Sequence, residues 1–277
     1  MSRRKITQIV PAHEVTEGAG VSVFRSIGTP ARRNLDPFLM LDQFSTYNPD
    51  DYIAGFPDHP HRGFNTFTYM IDGHMRHGDS MGNSGDLEPG GAQWMKAGSG
   101  VIHSEMPQQE SGRMRGFQLW INLPAEQKMS APEYQEIRSQ AIPEVNNDGS
   151  VVRIIAGEFN GKKGPVADPN TGFHFLDVAL ETGNGFVHDL PEEQTAFIYL
   201  FEGEAMVGDD KLAEQQLAVL DQGEQVTVKA NGARARFLLV AGKAIGEPIV
   251  QYGPFVMNTR DEIEKALDDF REGNLVQ

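Results

Sequence analysis

The chain contains 277 residues, of which 39% are hydrophobic and 23% charged, and its formal net charge at pH 7 is -15. This length suits one large domain or two modest ones, and the negative charge disfavours direct contact with nucleic-acid phosphates or anionic lipids. The absence of cysteine excludes disulfides, thiolate zinc sites and thiol nucleophiles.

No targeting or membrane segment is evident in the sequence. The longest apolar runs, such as FLLVA at residues 237–241, are far shorter than the roughly 20 residues of a membrane-spanning helix. The N-terminal residues MSRRKITQIVPAHE have a basic start without the apolar core of a secretory signal. We therefore expect a cytoplasmic protein that contacts neither membranes nor nucleic acids directly.

Short segments with strand composition recur along the chain, each bounded by Gly, Pro, Asn or Asp. In chain order they are FNTFTYMI, AQWMKAG, GFQLWINL, VVRIIAG, FHFLDVAL, TAFIYLF, LAVL, EQVTV and ARFLLVAG. This pattern predicts an all-β fold built as an antiparallel sandwich or barrel.

The stretch PDHPHRGFN, residues 57–65, holds two histidines on either side of Pro60. Residues i and i+2 of a strand point to the same face, so His59 and His61 would present two imidazoles to one point. Pro60 favours an extended conformation in the residue before it. The alternative is a pair of solvated loop histidines.

A second i, i+2 pair follows in AGSGVIHSEMP, where His103 and Glu105 share a face after a glycine-rich turn. Three neutral imidazoles and one carboxylate are a natural ligand set for a divalent first-row metal ion. Four protein ligands leave two positions of an octahedral ion open for substrate and dioxygen. Ser104 faces the other way, which argues against a serine nucleophile activated by His103.

The remaining histidines are weaker candidates. His74 and His77 fall in the turn-like segment DGHMRHGDS, and we expect them to shape the pocket or the turn rather than bind metal. We expect His13, His174 and His188 to be isolated histidines of the core or surface.

A domain boundary is predicted in the polar stretch of residues 130–150, where Pro132 and Pro143 interrupt the strand pattern. The expected domains are residues 1–135, which carry the metal site, and residues 136–277.

An internal repeat supports this division. Residues 65–73 (NTFTYMIDG) align with residues 195–203 (TAFIYLFEG), and residues 95–100 align with residues 219–224. Such self-similarity indicates two β units of similar design in tandem. In the second unit the positions of His59 and His61 are taken by Asp189 and Pro191. When Gly223 is set against Gly100, the positions of His103 and Glu105 are taken by Val226 and Val228.

A C-terminal helix is predicted at about residues 259–272. Thr259 and Glu262 form a capping-box pattern, and Gly273 supplies the stop. The helix is expected to pack on a barrel surface through one apolar face, which contains Ile263, Leu267 and Phe270.

Two long motifs carry a resemblance to a known family. HPHRGFNTFTYMIDG followed by PGGAQWMKAGSGVIHSEMP resembles the two motifs of a cupin, in the version found in pirins. NLDPFLMLDQF, GFQLWINLP and QYGPFVMNTRDEI are similar to other pirin signatures. The resemblance implies two tandem cupin barrels of the double-stranded β-helix, jelly-roll type, with the metal in the N-terminal barrel and a helix at the C-terminus.

The resemblance also implies Fe(II) as the usual metal, held by His59, His61, His103 and Glu105. Mn, Ni, Cu, Co and Zn are the alternatives for such a ligand set. Some pirins cleave quercetin with dioxygen, and others act as redox-dependent regulators or as partners of metabolic enzymes. We therefore expect a quercetin 2,3-dioxygenase that acts on flavonol-like small molecules and O2. The alternative is a non-catalytic redox-sensing regulator that acts through an unidentified protein partner.

The expected catalytic residues are Glu105 and His61. The family commonly reads HPHRGFET, whereas this chain has Asn65 where a carboxylate could act as a base on a flavonol hydroxyl. The base would then be Glu105, another group, or absent. The candidate apolar lining of the pocket, with ordinary core positions as the alternative, is Phe56, Met70, Trp94, Met106 and Phe117.

Overall fold

The structure is a computed structural model of the chain, and it describes residues 2–147 and 149–276. The described residues form 26 β strands, three short 3-10 helices and one α helix. Every segment predicted as a strand contains one, so the predicted all-β class is confirmed.

The first thirteen strands are β1 (Ile6–Pro11), β2 (His13–Glu17), β3 (Val21–Ile27), β4 (Phe38–Thr46), β5 (Phe56–His61), β6 (Phe64–Asp72), β7 (Met75–Asp79), β8 (Ser84–Leu87), β9 (Ala92–Lys96), β10 (Val101–Pro107), β11 (Met114–Asn122), β12 (Glu133–Ile137) and β13 (Glu144–Asn147). The remaining strands are β14 (Ser150–Ala156), β15 (Glu158–Phe159), β16 (Lys162–Lys163), β17 (His174–Leu180), β18 (Gly185–Asp189), β19 (Gln194–Glu202), β20 (Glu204–Val207), β21 (Asp210–Ala213), β22 (Gln216–Leu220), β23 (Gln225–Ala230), β24 (Ala235–Lys243), β25 (Val250–Tyr252) and β26 (Phe255–Met257). The helices are α1 (Arg260–Arg271) and the 3-10 helices Pro49–Asp51, Ala125–Gln127 and Ser139–Ala141.

The chain divides into two compact units, each made of three segments. The first barrel, as we call it, comprises residues 13–28, 38–139 and 245–277. The second barrel comprises residues 1–12, 29–37 and 140–244.

These units differ from the predicted ranges at both ends of the chain. Strand β1 pairs with β22 of the second barrel, although it precedes the first barrel in sequence. Helix α1 packs with β26 and with Ile102 of the first barrel, although it follows the second. The predicted division between residues 135 and 136 lies close to the change of unit at residue 140.

Both barrels have the same sheet topology. The first barrel has strand orders β12-β9-β6-β11-β4-β3-β2 and β5-β10-β7-β8, and the second has β1-β22-β19-β24-β17-β14-β13 and β18-β23-β20-β21. The predicted repeat therefore holds, because β6 and β19 are both third in their sheets and β9 and β22 are both second.

The core of each barrel lies between its two sheets. In the second barrel, Leu176 from the large sheet packs in one buried cluster with Val228 from the small sheet. In the first barrel, Met70 from the large sheet packs with Met75 and Leu87 from the small sheet. Alternation of apolar side chains along each strand produces this two-layer core.

The tail helix has the predicted capping box. Thr259 Oγ1 accepts a hydrogen bond from the Glu262 amide, and the Glu262 carboxylate accepts one from the Thr259 amide. Gly273 follows the helix with a φ of 76°, which favours glycine. Phe270 is 41% exposed, so the buried face is formed by Ile263 and Ala266, with Leu267 packed beside them.

Among the described residues, no helix has the length and apolar character needed to cross a membrane.

Candidate metal centre

Strands β5 and β10 of the first barrel pair so that three histidines meet. His103 lies directly opposite His59, and Val101 lies opposite His61. Strand β5 is at the edge of its four-stranded sheet. An edge strand tolerates Pro60, which has no amide hydrogen to donate to a neighbouring strand.

The structure brings His59, His61 and His103 into one cluster whose candidate ligand atoms all lie within 4.8 Å of one another. The ring centroids are 4.7 Å apart for His59 and His61, 4.3 Å for His59 and His103, and 4.9 Å for His61 and His103. His61 and His103 are buried, and His59 is half-buried.

Burial keeps two of these imidazoles neutral. It lowers the pKa of His61 well below its usual range, and the neighbouring His59 lowers this pKa further. Burial likewise lowers the pKa of His103, assisted by His61, His59 and His77. A neutral imidazole is the form that binds a metal ion.

The hydrogen bonds around the cluster leave ring nitrogens available. His59 Nδ1 donates to the Pro57 carbonyl oxygen at 2.8 Å, so its Nε2 carries a lone pair. His61 Nδ1 and His103 Nε2 are buried and have no hydrogen-bond partner among the described residues. Buried polar atoms normally have partners, and three converging imidazole nitrogens fit a first-row transition-metal ion.

His77 orients the His103 ring through a hydrogen bond. His77 lies in strand β7, not in the turn that the sequence suggested, and it is fully buried. Its Nε2 donates to Asp79 Oδ2 at 3.1 Å, and its Nδ1 accepts from Gln93 Nε2 at 3.1 Å. His103 Nδ1 lies 3.4 Å from the same His77 nitrogen. His103 Nδ1 is therefore the donor, which leaves Nε2 of His103 for a metal ion.

Tyr134 and Asp79 fix the position of the His77 ring. The Tyr134 ring stacks on it at a centroid distance of 4.5 Å and an interplanar angle of 14°. Burial would raise the pKa of Asp79, but hydrogen bonds from Asn83 and His77 outweigh this effect and lower it. Asp79 is thus an anionic acceptor for the His77 N–H group.

Glu105 lies beside the cluster but is not among the three residues that converge within 4.8 Å. Its Oε1 accepts from Thr68 Oγ1 at 3.0 Å and from Gln93 Nε2 at 3.4 Å. Its Oε2 accepts from Gln118 Nε2 at 2.8 Å. The buried carboxylate is thus oriented by three donors, and its role as fourth ligand stays a prediction.

Asn65 lies on the opposite face of β6 from the cluster. Thr68, which bonds Glu105, and Thr66, which pairs with the cavity residue Trp120, define the face turned towards the site. Asn65 pairs with Ile121 instead, and alternation along the strand directs its side chain away. The concern that Asn65 removes a catalytic base is therefore answered by geometry, because position 65 does not face the site.

A cavity of about 580 Å³ opens over His59 and His61. This volume is in the range of small-molecule sites. Its walls combine apolar and polar side chains, which include Met40, Phe56, Trp120, Arg25, Asp42 and Gln118.

Only one of the five predicted lining residues lies at this cavity. Phe56 lines it, whereas Met70, Trp94 and Phe117 are buried outside its wall. Met106 is not in the wall either. Sequence reasoning missed Trp120 and Arg25, because strand alternation assigns a face but does not identify which face encloses the cavity.

The other histidines divide into two kinds. His13 is exposed on β2, and His74 contacts Asp86 at the surface. His174 and His188 are not isolated as expected, because they line one cavity in the second barrel.

Comparison with known proteins extends over the whole chain. Residues 20–121 match the family model for pirin, and residues 175–276 match that for the pirin C-terminal cupin domain. A Pseudomonas aeruginosa protein provisionally named quercetin 2,3-dioxygenase is 48% identical over 280 residues, which cover 98% of both chains. A pirin-like protein from Caulobacter vibrioides is 46% identical over 275 residues, which cover 99% of both chains. The crystal structure of quercetin 2,3-dioxygenase from Acinetobacter baumannii superposes with a TM-score of 0.92 at 33% identity, over 99% of both chains.

Proposed function

The chain belongs to the pirin family, and from this premise we propose that it is a metal-dependent dioxygenase of the quercetin 2,3-dioxygenase type. Its two barrels are cupin domains, as predicted. The proposed substrates are a flavonol-like small molecule and O2, and the proposed reaction opens the flavonol ring with loss of carbon monoxide.

The convergence of His59, His61 and His103 at a cavity is the observation that carries the proposal. A structural metal site is usually closed by four protein ligands. Here His59 and His61 border a cavity of about 580 Å³, which gives a small molecule access to the cluster. The matches to proteins named for quercetin dioxygenation support this substrate class.

We assign the metal to His59, His61 and His103, with Glu105 as the fourth ligand. Fe(II) is the metal we propose, and Mn, Ni, Cu, Co and Zn are the alternatives that imidazole and carboxylate ligands also accept. When bound, the ion supplies a Lewis acid and a template for the two substrates.

The cavity walls suit a flat polyphenol. Phe56, Met40 and Trp120 offer apolar surface to aromatic rings, and Trp120 is braced by a ring contact with His61 at 5.3 Å. Arg25 and Asp42, joined by hydrogen bonds of 2.8 and 2.7 Å, offer polar atoms that can orient hydroxyl groups.

Glu105 is the residue we propose as proton acceptor. Its carboxylate is buried next to His103, and donors from Thr68, Gln93 and Gln118 fix its position. A carboxylate in this place would accept the proton of a flavonol hydroxyl, and exclusion of water would favour the transfer. His61 would contribute to catalysis by holding the ion.

The experiment compares wild type with His61→Ala after anaerobic purification and loading with Fe(II). Quercetin loss, oxygen uptake and carbon monoxide release are measured together, with His13→Ala as the control because His13 is exposed on β2. We expect stoichiometric quercetin loss and CO release by wild type and His13→Ala, and loss of both the metal and the activity in His61→Ala.

Two other outcomes would contradict the proposed site or the proposed activity. Equal rates in wild type and His61→Ala would contradict the assignment of the site. Full metal loading without quercetin turnover would favour the alternative, a redox-sensing regulator.

A further inference from the structure

The second barrel has a cavity of its own. Its volume is about 340 Å³. The residues that line it are Glu158, Phe159, Asn160, His174, Val187, His188, Asp189 and Gln225. His174 and His188 lie outside the motifs quoted above for the family resemblance, and the proposed dioxygenase reaction does not use them.

This cavity occupies the same place in the barrel as the one over the histidine cluster. His188 is on β18, which holds in its sheet the position that β5, with His59, holds in the first barrel. His174 is on β17, which corresponds to β4, the strand that carries Met40 to the first cavity. The corresponding end of each barrel therefore contains a pocket, and the two pockets are lined by different residues.

The two imidazoles are close enough to share one ion. Their ring centroids are 6.2 Å apart. With metal–nitrogen bonds of about 2.0–2.1 Å, two imidazoles on opposite sides of one ion place their centroids roughly 6.4 Å apart. His188 Nε2 is buried and has no hydrogen-bond partner among the described residues.

The charge around the pair favours a cation. The cavity is lined by the carboxylates of Glu158 and Asp189 and, within the described part of the chain, by no lysine or arginine. Outside this lining, the exposed Lys163 lies 3.7 Å from Glu158 Oε2 and offsets part of that charge. An anionic ligand would be repelled there, whereas a divalent cation would be attracted. Imidazole nitrogen selects first-row transition metals over Mg²⁺ and Ca²⁺.

The histidines are also in the correct protonation state. Burial and, to a smaller extent, the neighbouring His174 lower the pKa of His188 to about 4, although Asp189 opposes the shift. Burial also lowers the pKa of His174. Both rings are therefore neutral near pH 7 and keep a lone pair for an ion.

We propose that the second barrel binds a divalent first-row transition-metal ion through His174 and His188, with Glu158 and Asp189 balancing its charge. The two imidazoles supply the protein ligands, and water fills the remaining positions in a cavity that has room for it. The chain thus has two metal sites, one in each barrel, and the second does not depend on the proposed dioxygenase activity.

Metal stoichiometry tests this proposal. The full-length, metal-stripped protein is titrated with Ni²⁺ by calorimetry, and the Ni²⁺ retained after desalting is measured by elemental analysis. We expect two equivalents for wild type, one for His188→Ala, one for the double variant His59→Ala/His61→Ala, and none when the three substitutions are combined.

The matched control is His13→Ala, which removes an exposed histidine outside both sites and should retain two equivalents. One equivalent in wild type would overturn the proposal. So would two equivalents in His188→Ala, or a second ion that is lost on desalting of the wild type.

A spectroscopic measurement tests the proposed ligands even if His188→Ala does not fold. The folded double variant His59→Ala/His61→Ala is loaded with Cu²⁺, and its electron paramagnetic resonance spectrum is recorded. We expect nitrogen hyperfine splitting from two imidazoles, reduced to one by His174→Ala. A spectrum without nitrogen coupling would contradict the ligand assignment.

Discussion

The side chain of His77 determines which nitrogen of His103 is available to a metal ion. Because the Asp79 carboxylate can only accept, His77 must donate through Nε2 and accept through Nδ1. His103 therefore turns its Nδ1 hydrogen towards His77 and keeps Nε2 unprotonated. Such supporting hydrogen bonds fix the orientation and basicity of metal-binding histidines.

We predict that His77→Ala weakens metal binding by about 10- to 100-fold, because the His103 ring loses its acceptor. Competition with a chelator of known affinity measures the dissociation constant, with no reference to turnover. His74→Ala is the control, since His74 is three residues away and contacts Asp86 at the surface. An unchanged dissociation constant for His77→Ala would show that His103 is oriented by other contacts.

A second residue-scale prediction concerns Asn65. The Asn65→Glu variant restores the family residue, yet we expect no gain in quercetin turnover, because position 65 faces away from Thr68 and Glu105. We expect a loss of about 1–3 kcal/mol in the free energy of unfolding, since Asn65 Oδ1 already lacks a partner among the described residues and a buried carboxylate is costlier still. Turnover assays and urea denaturation test both parts, and a several-fold rise in rate would contradict the strand-face assignment.

At the scale of elements, sequence patterns predicted the strands and the tail helix where local signals were strong. Apolar alternation bounded by turn residues identified segments such as β6 and β19, and the capping box identified α1. The sequence of strand β7, MRHGD, is polar and contains glycine, and it therefore suggests a turn. It becomes a strand through pairing with β10 and β8, and such long-range pairing leaves no local signal.

The contrast between local spacing and long-range pairing also explains which residues of the candidate metal centre the sequence could predict. The i, i+2 spacing of His59 and His61 is local and was recognised. The contact between His77 and His103 depends on the register of β7 against β10, where His77 lies opposite Glu105. No spacing rule connects two residues on strands that meet only in the folded chain.

An ion pair joins the tail helix to the residue that follows His61, one of the proposed metal ligands. The Arg62 side chain is almost completely buried, and it contacts Asp269 Oδ2 of α1 at 2.7 Å. The Arg62 hydrogen bond lowers the pKa of Asp269, as does Lys265. The helix therefore neutralises a buried cation next to the candidate metal centre.

We predict that Asp269→Asn lowers the free energy of unfolding by about 3 kcal/mol, because the Arg62 guanidinium loses its counter-charge in a buried position. Lys265→Ala is the matched control: it removes the exposed partner of the same carboxylate, and we expect a change below about 0.5 kcal/mol. Urea denaturation measures both. Equal effects of the two substitutions would contradict a special role for the buried pair.

At the scale of the whole molecule, one barrel topology supports two different pockets. The internal repeat was detectable because β6 and β19 keep the same apolar pattern. The repeat alignment nevertheless gave no histidine in the second unit, because it set Asp189, and not His188, at the position of His59. The partner His174 comes from β17, which is not a ligand strand in the first barrel. Both barrels thus contain a pocket, but their shared topology does not determine which residues line it.

The histidine cluster also affects the stability of the metal-free protein. His61 and His103 have pKa values held well below their usual range by burial, so in the folded state they stay neutral as the pH falls. In the unfolded chain they take up protons near pH 6.5. The unfolded state therefore binds more protons below this pH, and the free energy of unfolding must decrease as the pH falls.

We predict that, between pH 7.5 and 5.5, each of these two histidines costs the metal-free protein about 1.4 kcal/mol of unfolding free energy. The double variant His61→Ala/His103→Ala should therefore lose roughly 3 kcal/mol less than wild type over this interval, whatever its stability at pH 7.5. His13→Ala should follow wild type, because His13 is exposed on β2. Urea denaturation of metal-stripped proteins at several pH values gives the three curves. Parallel curves for wild type and the double variant would mean that His61 and His103 take up protons as readily in the folded protein as in the unfolded chain, which would contradict the lowering of their pKa by burial.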